Sequence, residues 1–279
     1  MFDVSSNVGS YCREQEEKLR DPHVVELRYR LALSEDDEFR DPPPVERERD
    51  AFSVRLAGGL LTVTMKEHHS TVESAQARIG PFLQDWVISA ALQYRRRQVS
   101  FEYEDADVID RDPPPPGEPH VITVSASIQG ASTVRAKITV QRSAYPSPPD
   151  AFIASPDVQL MWTRYEQYQN GNEPLPSMAY FCLTVVAPAD ISRKDVSGLY
   201  NISLPILNTL SKLTSTRGDG TNARKAHNLE PLTSREEQWI REAVLVLIRR
   251  LGEHAAAPDS PKPKITMADL PSLKNGDVS

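Results

Sequence analysis

Two periods of apolar residues divide the chain near residue 150. Before it, apolar positions mostly alternate with polar ones, as in half-buried strands. Over 23–33, Val25, Leu27, Tyr29, Leu31 and Leu33 fall on one face, with Glu26, Arg28 and Arg30 opposite, which predicts a strand. Residues 51–66 predict two strands joined at Gly58-Gly59, a hairpin signal. Residues 71–94 predict a helix carrying Ala75, Ile79, Leu83, Trp86, Val87, Ala90 and Tyr94 on one stripe. Pro81 inside it predicts a kink or a start near Gly80. Residues 98–109 alternate Val99, Phe101 and Tyr103 against Ser100, Glu102 and Glu104, and 120–128 with 134–142 predict a second hairpin around Gly130. Three strands, a helix and three strands predict an antiparallel sheet with one packed helix.

Beyond residue 150 apolar residues recur every three or four positions. Ser155-Pro156-Asp157 predicts a helix start, with a capping hydroxyl, proline at the first position and an acid at the positive dipole end. Val158, Met161, Trp162 and Tyr165 follow on one face, up to a stop at Gly171. Residues 175–186 and 196–213 predict two further helices, the second kinked at Pro205. Thr233-Ser-Arg-Glu236 is a capping box, and Trp239, Ile240, Ala243, Val244, Leu247, Ile248 and Leu251 form one stripe ending at Gly252.

The fold class expected is therefore α+β: an N-terminal antiparallel sheet with one packed helix, then an all-α bundle and a disordered tail. Proline clusters at 42–44, 113–116 and 146–149 mark breaks, because proline fixes φ and removes a donor. The expected divisions are an extension over 1–20, an α+β domain over 21–145, a linker over 146–150, a helical domain over 151–254 and a loose tail over 255–279.

Composition narrows the function classes. The 279 residues are 39% apolar and 25% charged, with net charge −7, an ordinary soluble make-up. Cys12 and Cys182 lie in unlike surroundings, which predicts free thiols in a reducing cytoplasm. No stretch approaches the roughly 20 apolar residues of a membrane span, and no leader pattern is visible, so no membrane partner is expected. Arginine outnumbers lysine 23 to 9, as in GC-rich bacterial genomes. Nonspecific DNA binding is disfavoured, since residues 21–145 carry 15 cations against 20 acids and residues 150–255 carry 11 against 12.

Candidate chemistry is sparse. His68-His69, with Glu67 and Glu73 close in sequence, has metal-ligand residue types, but adjacent residues of an extended chain point apart and no third ligand is evident; no metal or cofactor is expected. Glu102, Glu104, Asp105, Asp107, Asp110 and Asp112 read as the solvated edge of a strand. There is no Gly-x-Ser-x-Gly elbow, and Cys182 sits on an apolar helix side with Met178, Val185 and Val186. The segment Thr214–Lys225 stands out. Residues 193–225 hold six cations against two acids, and Gly218 and Gly220 would let backbone donors approach an anion beside Arg217, Arg224 and Lys225. The competing reading is a plain helix-to-helix connection whose glycine ends a helix.

Arg249-Arg-Leu-Gly-Glu-His254 places four residues between an arginine and a histidine. In that spacing and in helix count the second region resembles HEPN-type ribonucleases, where such a pair acts together on RNA. The resemblance extends to those two features and supplies an alternative reading, a HEPN-like ribonuclease or defence-type effector. The leading expectation is a non-catalytic binding or regulatory protein that takes a protein partner or an anionic ligand at Arg217, Gly218, Gly220, Arg224 and Lys225.

Overall fold

A computed structural model of the chain describes residues 19–33, 37–94, 99–112, 140–217 and 230–273. The expected α+β class is found: a five-stranded antiparallel sheet with one helix, then a bundle of five more helices. The strands are β1 (Pro22–Leu33), β2 (Asp37–Phe39), β3 (Val45–Glu48), β4 (Phe52–Ala57), β5 (Leu60–Met65), β6 (Val99–Asp110) and β7 (Val140–Arg142). The main sheet has the order β3-β4-β5-β1-β6, and β2 pairs with β7 in a separate parallel ribbon. Gly58 and Gly59 both have positive φ, 59° and 78°, the backbone that a two-residue hairpin matched to strand twist requires. The expected hairpin over 120–142 lies outside the described residues except at β7.

The inward face of the sheet buries Val24, Leu27, Tyr29, Val54, Leu56, Leu61 and Val63 against Ala75, Ile79 and Trp86 of α1 (Val72–Tyr94). Val24 takes the place expected for Val25, because a bulge between Val24 and Glu26 inserts one residue and moves the strand start to the other face. Strand β3 has no counterpart in the sequence reading; it is a short charged edge where Val45 and Arg47 alternate with exposed Glu46 and Glu48. Helix α1 runs unbroken through Gly80 and Pro81, so the start near Gly80 is not taken.

The bundle comprises α2 (Pro156–Gln169), α3 (Leu175–Val186), α4 (Arg193–Leu199), α5 (Leu204–Thr216) and α6 (Ser234–Ala256). Its core holds Met161, Trp162, Met178, Cys182, Ile206, Leu210, Trp239, Val244 and Ile248, together with Ile88, Ala91 and Leu92 from the end of α1. One helix thus serves two cores, and its buried surface is broader than the single stripe expected. The caps form as anticipated: Val158 N–H donates to Ser155 Oγ, and the Thr233–Glu236 box is complete.

Three expectations are corrected. The single kinked helix over 196–213 is two helices. The chain turns at Asn201, whose φ is +50°, and Pro205 falls in the first turn of α5, where its missing N–H leaves no gap in the ladder. Helix α6 does not stop at Gly252 but continues to Ala256. Gly252 is there for space, since a Cβ would overlap the Phe152 ring. The tail expected to be loose is bound to the bundle over 257–273. Leu270 is buried in the bundle core, Ile265 bridges Ile202, and Arg250, itself buried, donates to Tyr200 O at 3.0 Å and Pro263 O at 2.9 Å. A few apolar residues suffice for this, because the Arg250 side chain on α6, the backbone of Asn201 and Ser203 and the Asn201 side-chain amide supply hydrogen bonds to Pro263, Ile265 and Lys262. No helix among the described residues is long and apolar enough to cross a membrane.

Candidate functional site

The basic segment resolves into parts with different fates. Thr214, Ser215 and Thr216, expected in the loop, form the last turn of α5, and their hydroxyls donate to the carbonyls of Leu210, Ser211 and Lys212 at 2.8, 2.6 and 2.7 Å. Arg217, the residue that ends α5, pairs with Glu230 and lies 3.3 Å from Glu236. Its charge is thus answered by two carboxylates. Gly218, Gly220, Arg224 and Lys225 lie outside the described residues.

Arg249 and His254 sit five residues apart on α6, about 140° around a helix axis. Their neighbours differ accordingly. Arg249 reaches across to α1 and donates to Leu92 O at 3.3 Å, while the His254 ring stands edge-on to Tyr200, 5.0 Å between centroids. The fold points the two side chains at different partners.

What the sequence reading missed is the seam between the cores. Residues 145–155 are stitched to both halves. Trp86 Nε1 donates to Pro146 O, Arg49 to Pro149 O, and Arg47 pairs with Asp150 at 2.9 Å. Ala154 N–H donates to Asp85 Oδ1 at 2.6 Å, and Ile153 N–H to Gly252 O at 3.1 Å. Burial holds the Asp85 carboxyl above its ordinary range, although the Ala154 N–H pulls the other way. Two hollows flank this segment. One, about 420 Å³, is walled by Arg49, Phe82, Asp85, Phe152 and Ile153. The other, about 430 Å³, is walled by Ser89, Leu92, Gln93, Asp150, Arg249 and Glu253. In the second, Glu253 lies 3.0 Å from Arg250 Nε and Asp150 is paired with Arg47, so both acids have cations of their own. Arg249 is exposed, and among the described residues its hydrogen-bond partner is the single carbonyl of Leu92.

The remaining candidates separate cleanly. Cys182 is buried, and desolvation pushes its thiol up to about 12, which makes it an inert core group. Three of the acids of β6 meet Arg28 and Arg30 across the strand pair. Arg28 bonds Asp105 at 2.7 Å and also Asp107, and Arg30 pairs with Glu104. Among the described residues no group of three or more His, Cys, Asp or Glu could hold a metal ion. His68 and His69 are joined by His23 from β1, whose ring stacks on His68 at 5.2 Å. The sequence separation of 45 residues hid this third histidine. Comparisons with protein-family models, with curated proteins and with solved structures return no match.

Proposed function

We propose that the chain is a binding or regulatory protein that holds an anionic group of a ligand or protein partner in the hollow beside Arg249. The observation that carries this reading is an exposed guanidinium in a concave seam whose acids already have other cations. Hollows between two packed bodies are favoured ligand sites, and an arginine fork matches carboxylate or phosphate oxygens. Ser89 and Gln93 on α1 add neutral hydrogen-bonding groups to the same wall. The basic segment ending in Lys225 remains a second proposed contact for such a partner, through Arg224 and Lys225. A reducing cytoplasm suits this role, since the Cys182 thiol is free and buried.

The test is thermal shift with polyphosphate, nucleotides and an acidic peptide at two salt concentrations. A stabilisation that fades with salt and is lost in Arg249→Ala supports the site, because exposed charge pairing is screened over about 8–10 Å. Arg249→Ala itself should leave unliganded stability within about 0.5 kcal/mol, as exposed positions usually do. A shift retained in Arg249→Ala but lost in Arg224→Ala/Lys225→Ala moves the site to the basic segment. No salt-sensitive shift from any of these compounds overturns the reading.

A further inference from the structure

Three of the six histidines meet at one corner of the molecule, where β1 begins, β6 ends and the β5–α1 connection passes. The His23 and His68 rings stack at 5.2 Å with 21° between planes. Arg111 Nη1 lies 3.3 Å from His68 Nδ1, and His68 Nε2 lies 3.5 Å from Asp21 Oδ1. A guanidinium only donates, so Nδ1 must accept and the proton sits on Nε2, facing Asp21. His69 holds the corner closed through its carbonyl, which accepts from Val24 N–H at 2.9 Å, and its Nδ1 lies 3.5 Å from Ser74 Oγ. His23 Nδ1 and His69 Nε2 are buried and have no hydrogen-bond partner among the described residues.

Those two nitrogens decide how the corner responds to acid. On neutral rings they are idle lone pairs or single orphan donors, a modest cost. On charged rings each must donate, and among the described residues neither nitrogen has an acceptor. The acids around the corner are mostly spent. The Asp110 carboxylate accepts from the backbone N–H groups of Arg20, Asp21 and Asp112, and Glu67 is held by Arg78 at 2.9 Å. Glu73 sits in the first turn of α1. Asp21, 3.5 Å from His68 Nε2, is the acid left to offset a charged His23 and Arg111. Acidification therefore leaves the corner with surplus positive charge and unanswered donors arriving from three chain segments. One tetrahedral oxyanion, with oxygens pointing several ways, supplies what is missing.

We propose that this corner is an acid-assembled oxyanion site that takes a phosphoryl group, held by His23, His68, His69 and Arg111. Binding and protonation are linked, so the anion raises the proton affinity of the rings it touches. The experiment is NMR of the histidine ring protons in the full chain, titrated from about pH 8 to about pH 5 in inorganic phosphate, in a phosphomonoester such as phosphoserine, and in acetate at equal ionic strength. The expected result is a His23 midpoint higher by about half a pH unit in phosphate or phosphoserine than in acetate, a roughly threefold gain in proton affinity. The stronger of the two phosphoryl probes tells a free ion from a phosphorylated ligand. Arg111→Ala should cancel the difference, and since Arg111 is exposed this variant should fold normally. Equal His23 midpoints in all three solutions, with acid simply loosening the corner, would overturn the proposal.

Discussion

Single residues in this protein are constrained mainly by neighbours far away in sequence. Gly252 reads in the sequence as a helix stop, yet it lies inside α6 because the Phe152 ring occupies the space of its Cβ. Gly252→Ala should destabilise by about 1–3 kcal/mol, the usual cost of overpacking a well-filled site. Phe152→Ala combined with it should cost less than the two changes summed, since both act on one contact; chemical denaturation of the four chains checks this, and strict additivity would detach the ring from Gly252. His23 makes a separate, pH-dependent prediction. Its proton affinity is lowered by burial first, then by His68, Arg111 and His69. Above about pH 6.5 both folded and unfolded states hold it neutral. As pH falls below that value the unfolded state takes up the proton first, so stability is lost until the pH passes the lower folded value. His23→Gln should flatten that part of the stability profile in acetate buffer, measured by urea titration at stepped pH; an unchanged slope would show that other groups carry it.

Elements follow local chemistry where a cap or a period is complete. Helix α6 begins at Thr233 with both halves of the box formed, Glu236 N–H donating to Thr233 Oγ1 and Thr233 N–H to the Glu236 carboxylate. Thr233→Ala should cost about 1 kcal/mol, since it strands one of these donors. The same change should weaken Arg217, which lies 3.3 Å from the Glu236 carboxylate that the cap orients. A double-mutant cycle with Arg217→Ala measures that coupling. Zero coupling would mean that Arg217 is held by Glu230 alone. Helices α4 and α5 show the opposite case. Their apolar spacing continues across the break, so periodicity reads one helix; the positive φ at Asn201 and the extended backbone at Ser203 part them.

At the scale of the molecule the two cores are joined by α1 and by the 145–155 segment, and a C-terminal strap returns onto the bundle. Arg250 fastens that strap by bonding Tyr200 O on one side and Pro263 O on the other. Ending the chain at Ala257 should lower stability by roughly 2 kcal/mol or more, the scale of uncovering one large aliphatic side chain, because Leu270 and Ile265 leave the bundle. Near-UV circular dichroism should show loosened aromatic packing near Tyr200; an unaltered unfolding midpoint would mean the strap adds nothing. Local patterning by itself determined the α+β class, the Gly58-Gly59 hairpin, the capped starts at Ser155 and Thr233, and the apolar face of α6. Each of these depends on residues within one or two turns of one another, so spacing alone carries the signal. Tertiary structure alone decided the rest. It turned Val24 inward through a bulge, shared α1 between two cores, stitched 145–155 into a seam and bound the strap. It also drew His23 against His68, parted Arg249 from His254 and paired Arg217 with Glu230. These outcomes depend on which surfaces meet after folding, and the spacing of residues along a chain holds no record of that.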